Sequence, residues 1–172
     1  METARRIAEA GGRPRATVAA AVRAAWEHDA VKQQEPAGWR RRIADAGETP
    51  DPWAEAHGVG LLHAQAAAAW ARQLGESDPE GLAAVRHHPT AHPGWGVVGR
   101  ILYVADFCEP LRAHAERVGA KRLRKRAGEG DEGLAEAARA VLRLRLEHLL
   151  AAGRAVHPDS FRAWNAWIGD GS

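Results

Sequence analysis

Residues 101–110 read Ile101-Leu102-Tyr103-Val104-Ala105-Asp106-Phe107-Cys108-Glu109-Pro110. Taken with Val97-Val98-Gly99-Arg100 just ahead of it, this stretch is short, largely apolar and without sustained period-two alternation. It therefore predicts a buried helix from Val97 to Phe107, ended by Glu109-Pro110. Asp106 is the exception inside it. A carboxylate buried without a partner costs several kcal/mol, so Asp106 is expected to be paired or to hold a metal ion.

Working outward, the same helical spacing recurs. Pro89-Thr90-Ala91-His92-Pro93-Gly94-Trp95-Gly96 carries two prolines and two glycines and reads as a loop. Before it, a helix is expected from Pro79 to about His87, with proline in the first turn, where the missing N–H costs nothing. An alanine-rich helix is expected from about Gly60 to Leu74, with Leu61, Leu62, Ala66, Trp70 and Leu74 as its apolar stripe. From Thr17 to Ala30 the stripe is Val18, Val22, Ala25 and Trp26. Downstream, Gly128-Glu129-Gly130-Asp131-Glu132-Gly133 reads as a flexible connector. The longest helix follows from Leu134 to Leu150, with Ala138, Val141, Leu142, Leu146 and Leu149 inside and Gly153 as its stop. Pro158 opens a last helix in which Phe161, Trp164 and Ile168 can face inward. The fold class expected is all-α, with one domain over residues 1–172.

Composition narrows the function classes. The chain has 172 residues, 45% hydrophobic and 27% charged, and no apolar run approaches the ~20 residues that a membrane-spanning helix needs. The start, Met1-Glu2-Thr3-Ala4-Arg5-Arg6, leads into no apolar signal core. A single cysteine, Cys108, allows no internal disulfide, so a reducing cytoplasm is the expected compartment. The net charge of +2 is too small for a general polyanion-binding domain. Two basic clusters stand against that, Arg40-Arg41-Arg42 and Lys121 to Arg126; the second runs straight into acids and reads as a solvated helix end, with phosphate or nucleic-acid contact as the alternative. Trp39, Trp53 and Trp95 are expected in loops, where an indole could stack on adenine, and the other tryptophans on apolar faces.

Nine histidines need an explanation. His28-Asp29 ends the first long helix, His63 follows Leu61-Leu62, His88 ends the helix before the loop, and Asp106 lies in the apolar segment. A hydrogen-bonded core histidine accounts for any one of these. Four polar placements on four apolar helices point instead to a common metal site, because imidazole and carboxylate together hold borderline or hard divalent cations.

The ordered set His28-Asp29, Leu61-Leu62-His63, Ala84 to Gly94, Ile101 to Arg112, Val156-His157-Pro158 and Trp164-Asn165 resembles the successive motifs of YqeK-type HD-domain phosphohydrolases, over about residues 6–168. The resemblance implies an all-helical HD fold with a two-metal centre, usually iron, with manganese as the alternative. The reaction implied is symmetrical hydrolysis of diadenosine tetraphosphate to two ADP. Matched residue by residue, the implied metal ligands are His28, Asp29, His63, His88 and Asp106, with Asp29 bridging, and Glu109 and Arg112 are expected near the polyphosphate. Two cations roughly 3.5–4 Å apart can supply the nucleophile, so no protein nucleophile is needed. Arg112 is the first choice to grip phosphate and Lys32 another; they stand with Asp29 as the catalytic set, while Arg86 and His92 join the substrate-binding set.

The family pattern also has a histidine ahead of the His-Asp pair. Its place falls just before Met1, and no histidine stands between Met1 and Glu27. Either the start is assigned late or a ligand is lost, and the site is expected to be one imidazole short, beside a helix interrupted at Gly11-Gly12 against which Ile7 packs only partly. His87 and His92 are expected to be substrate-pocket or surface residues, and His57, His114 and His148 surface residues. The partner expected is a small nucleotide, with nucleic acid disfavoured and a homodimer left open. Two other functions remain: an HD hydrolase of another nucleotide phosphate, and a degenerate HD domain that binds nucleotide or protein without turnover.

Overall fold

The structure, a computed structural model, describes residues 1–112, 115, 116 and 118–169. His114 lies outside them. Among the described residues there is no strand; the α-helices are α1 (Glu2–Ala10), α2 (Arg15–Glu27), α3 (Pro36–Asp45), α4 (Pro52–His57), α5 (Leu62–Gln73), α6 (Pro79–His87), α7 (Val97–Phe107), α8 (Ala120–Ala127), α9 (Gly130–Ala151) and α10 (Pro158–Gly169), with a 3₁₀ turn at Val59–Leu61. Start signals are local. Pro36, Pro52 and Pro79 occupy first-turn positions, and the carboxylates of Asp51 and Asp78 accept from the amides of Ala54 and Glu80.

Helix α7 is the axle. Apart from Arg100 and Asp106 it is apolar, and it touches α1, α2, α6, α8 and α9. Val98, Ile101, Leu102, Tyr103 and Val104 are all buried, and each large side chain removed from water contributes about 1.5–3 kcal/mol. Against it α2 presents Ala20, Ala21, Ala24 and Ala25, whose small side chains let the two helices approach closely. The stripe expected through Trp26 is therefore rotated, and Trp26 itself is 66% exposed. A similar rotation applies in α10, where Ser160, Ala163 and Trp167 face inward while Phe161 and Ile168 are exposed. Leu74, expected on an inner face, is also exposed.

Other differences have packing causes. The segment from Gly128 to Gly133 is a close-packed corner, with α9 starting at Gly130: a Cβ at Gly133 would lie 2.2 Å from the Arg126 carbonyl oxygen of α8, so only glycine fits. Helix α1 runs from Glu2 to Ala10, and Ile7 is fully packed at 3% exposure together with Ala4 and Ala8, against α2 and α7. Trp39 and Trp53 lie in α3 and α4 rather than in loops. Trp95 is in the loop but buried; its indole donates to the Ala83 carbonyl and packs near Tyr103 and Trp167.

Gly99 lies directly beneath that indole, where an added Cβ would meet Trp95 ring carbons at 2.5 Å. Gly99→Ala is predicted to destabilise by about 1–3 kcal/mol, whereas Gly60→Ala, whose Cβ meets nothing within 4 Å, leaves the midpoint nearly unchanged. Thermal unfolding followed by circular dichroism compares the two.

Candidate metal centre

Three histidines share one local device. His28 caps the C-terminus of α2, and its ring Nδ1 lies 3.0 Å from the Ala25 carbonyl; His88 caps α6, with Nδ1 2.9 Å from the Val85 carbonyl. His63 in the first turn of α5 sets Nδ1 2.5 Å from the carbonyl of Gly60 in the 3₁₀ turn. A helix leaves its last carbonyls without intrahelical donors, so a ring N–H aimed three residues back satisfies one of them. A carbonyl can only accept, hence Nδ1 carries a proton, and in the neutral form of such a ring Nε2 holds a lone pair. This is the arrangement by which backbone carbonyls orient metal-binding imidazoles.

The three Nε2 atoms converge on carboxylates. Those of His63 and His88 are 3.2 Å apart and stand 3.3 and 3.5 Å from Asp29 Oδ1, while that of His28 lies 3.6 Å from both Asp29 Oδ2 and Asp106 Oδ1. Burial pushes His88 down to about 4, so this ring is neutral near pH 7. Asp29 Oδ1 is buried with no hydrogen-bond donor. Burial by itself would raise the Asp29 carboxyl, but the Lys32 ammonium, 2.8 Å from Oδ2, favours its charged form and holds it below the usual carboxylate range. Lone pairs facing an undonated carboxylate oxygen repel unless a cation lies between them, and His28, Asp29 and His88 can offer ligand atoms all within 4.8 Å of one another. The donor set, imidazole nitrogen with carboxylate oxygen, suits a divalent iron, manganese or zinc ion.

Asp106 is placed differently. Its Oδ2 accepts from Arg145 Nη2 at 2.9 Å, and its Oδ1 accepts from Arg112. Burial opposes its ionisation, yet the Arg145 and Arg112 guanidinium groups keep it well below the usual range. Both arginines line a cavity of about 570 Å³ with Lys32, His63, His88 and Phe107. Lys32 Nζ lies 2.8 Å from Asp29 Oδ2 at its edge. The one thiol, Cys108, is buried, and burial pushes it up to about 12, so it is no nucleophile at neutral pH.

Of the residues singled out in the sequence, His28, Asp29, Lys32, His63, His88, Asp106 and Arg112 therefore meet in one place. Glu109 lines a smaller cavity that also borders His28, Asp29, Asp106 and Arg112, and it accepts from the Thr3 hydroxyl. Arg86 and His92 are not brought to this cleft. Arg86 pairs with Glu48, and His92 packs against His87 with ring centroids 4.6 Å apart. His148 is an exposed residue on the wall of the cleft. Arg145 was not among the sequence candidates, although its position supplied the signal: it continues the Ala138–Leu142 side of α9 at helical spacing, so a guanidinium was due on a largely apolar face.

Asn at position 29 offers an N–H₂ donor to the facing lone pairs. Asp29→Asn is predicted to raise the unfolding midpoint in chelator, by about 1 kcal/mol of stability, and to abolish the midpoint rise that saturating Mn²⁺ gives the wild type. Thermal shift with and without EDTA reads both effects.

No family model matches the chain. Over 101 residues, 59% of its length, the chain is 32% identical to the symmetrical bis(5'-nucleosyl)-tetraphosphatase of Bacillus subtilis (strain 168), covering 50% of that protein. It is 29% identical over 110 residues to the protein of the same name from Halalkalibacterium halodurans, covering 56% of it. The chain thus spans about half the length of the curated relatives it matches. A crystal structure described as an HD superfamily hydrolase involved in NAD metabolism, from Clostridium acetobutylicum, matches with a TM-score of 0.83 at 24% identity, over 98% of this chain and 85% of that one. The chain has the all-α fold of that HD superfamily hydrolase.

Proposed function

We propose that this chain is a metal-dependent phosphohydrolase, one HD domain over residues 1–172, that hydrolyses diadenosine tetraphosphate symmetrically to two ADP. The observation that carries the reading is the convergence of three Nδ1-anchored imidazoles on Asp29, with His63 and His88 facing its buried, undonated Oδ1 and His28 facing Oδ2. The substrate rests on the likeness to the two tetraphosphatases and on the cationic cleft beside the cluster. Iron or manganese fits the donor set, and a reducing cytoplasm fits Cys108 as a free, buried thiol.

When bound, a pair of divalent cations supplies an activated water and neutralises phosphate oxygens. The chain's own groups do the rest. His63 and His88 face Asp29 Oδ1 while His28 faces Oδ2, so these four residues would hold the cations, with Asp29 offering one oxygen to each side. Lys32, Arg112 and Arg145 place three cations along one cleft, where they bind polyphosphate oxygens and stabilise the charge that develops as the central bridge breaks. Water oxygen joins one inner phosphorus, and the bridging oxygen leaves with the other, giving two ADP. A second reading, nucleotide binding without turnover, is favoured by Asp106, both of whose oxygens are already held by guanidinium groups.

Protein stripped with chelator and reloaded with Fe²⁺ or Mn²⁺ is predicted to convert diadenosine tetraphosphate to ADP as sole product, resolved by ion-exchange chromatography. His63→Ala and Asp106→Ala lower the rate at least about 100-fold, since loss of an outer-shell partner alone costs 10–100-fold. ATP plus AMP as products contradicts the symmetrical cut. Nucleotide binding with no products from any metal form favours the second reading.

A further inference from the structure

Asp106 has two arginine partners that differ in kind. Arg145 reaches Oδ2 from α9, its guanidinium lies 4.7 Å from the Tyr103 ring centroid and 5.3 Å from that of Phe107, and Nη1 also contacts the Pro89 carbonyl at 3.4 Å. It is fixed on several sides. Arg112 reaches Oδ1 from the turn after α7; its side chain is 39% exposed against 23% for Arg145 and 8% for Asp106. Oδ1 is also the oxygen that faces the histidine cluster, 3.6 Å from His28 Nε2. The oxygen best placed to meet a cation is thus the one covered by the more exposed arginine, which has fewer contacts holding it.

We propose that Arg112 is an exchangeable counter-ion: it occupies Asp106 Oδ1 when the site lacks a divalent cation, and yields that oxygen to the cation while turning its guanidinium to a phosphate in the cleft. Arg145 stays on Oδ2 throughout and positions the carboxylate. The inference rests on the divalent-cation reading of the site. Two cations compete for one oxygen, so Arg112 opposes metal entry and favours phosphate binding afterwards. Removing it must therefore move the two affinities in opposite directions. Damage to the site would weaken both.

The test is calorimetric titration with Mn²⁺ alone, and then with ADP on Mn²⁺-loaded protein, for wild type, Arg112→Gln and Arg112→Lys. Arg112→Gln is expected to bind Mn²⁺ about tenfold more tightly and ADP about tenfold less tightly, the scale of one hydrogen bond to a charged group. Arg112→Lys keeps a cation there and stays within about threefold of wild type for Mn²⁺. The exchange is overturned if Arg112→Gln binds Mn²⁺ no more tightly than a wild type that does bind it, or if its ADP affinity is unchanged or rises. A wild type that binds no Mn²⁺ overturns the cation reading and the exchange with it.

Discussion

The hydrogen bond from a histidine Nδ1–H to the backbone carbonyl three residues earlier, made by His28, His63 and His88, is the constraint on which the site depends. It answers two demands together. Carbonyls at helix ends need donors, and an imidazole that is to bind a cation must have its other nitrogen fixed. Because α2, the 3₁₀ turn before α5, and α6 each provide such a carbonyl, the cluster is built from backbone already in place. The helices need only bring the three ends together, and α2 packs on both α5 and α6.

Charge then has to be balanced inside a small volume. Asp29 and Asp106 are both held ionised against burial, Asp29 by Lys32 and Asp106 by two arginines. The apolar surroundings that make this costly also serve it: Tyr103, which burial pushes up to about 12, stays a neutral phenol and gives Arg145 an aromatic face rather than a competing anion. Two residues of the basic run of α8 are engaged in the fold, while Lys121, Arg122 and Lys125 are exposed. Arg126 pairs with Glu129 and Glu136, and Arg124 donates to the Cys108 carbonyl, holding the end of α7 where Asp106 sits. A run that reads in sequence as a solvated helix end thus supplies, through Arg124, a clamp on the site.

The all-α class was legible because α7 is largely apolar and because proline and aspartate mark helix starts, signals that act within a few residues. The grouping of His28, Asp29, His63, His88 and Asp106 was legible too, since a polar residue in an apolar helix needs a partner. Which face turns inward was harder to read. Trp26, Phe161 and Ile168 are large and apolar yet point outward, because close approach to α7 favours the alanines of α2, and in α10 the inward place of Trp167 fixes the rotation. Glycine misled for a related reason: at Gly133 it marks contact between helices, not freedom. Arg145 was missed because arginines on a long helix are usually solvated; only its spacing from Ala138 and Leu142 set it apart. Arg86 drew attention beside His87-His88, but one residue around α6 places it on Glu48.

The central claim is that the three Nε2 lone pairs and Asp29 enclose a divalent cation. Anomalous diffraction at the manganese edge from crystals equilibrated with Mn²⁺ tests it directly. The account predicts a strong peak bounded by His28, Asp29, His63 and His88. A peak only elsewhere, or none at that position while the side chains keep the geometry described, would contradict it.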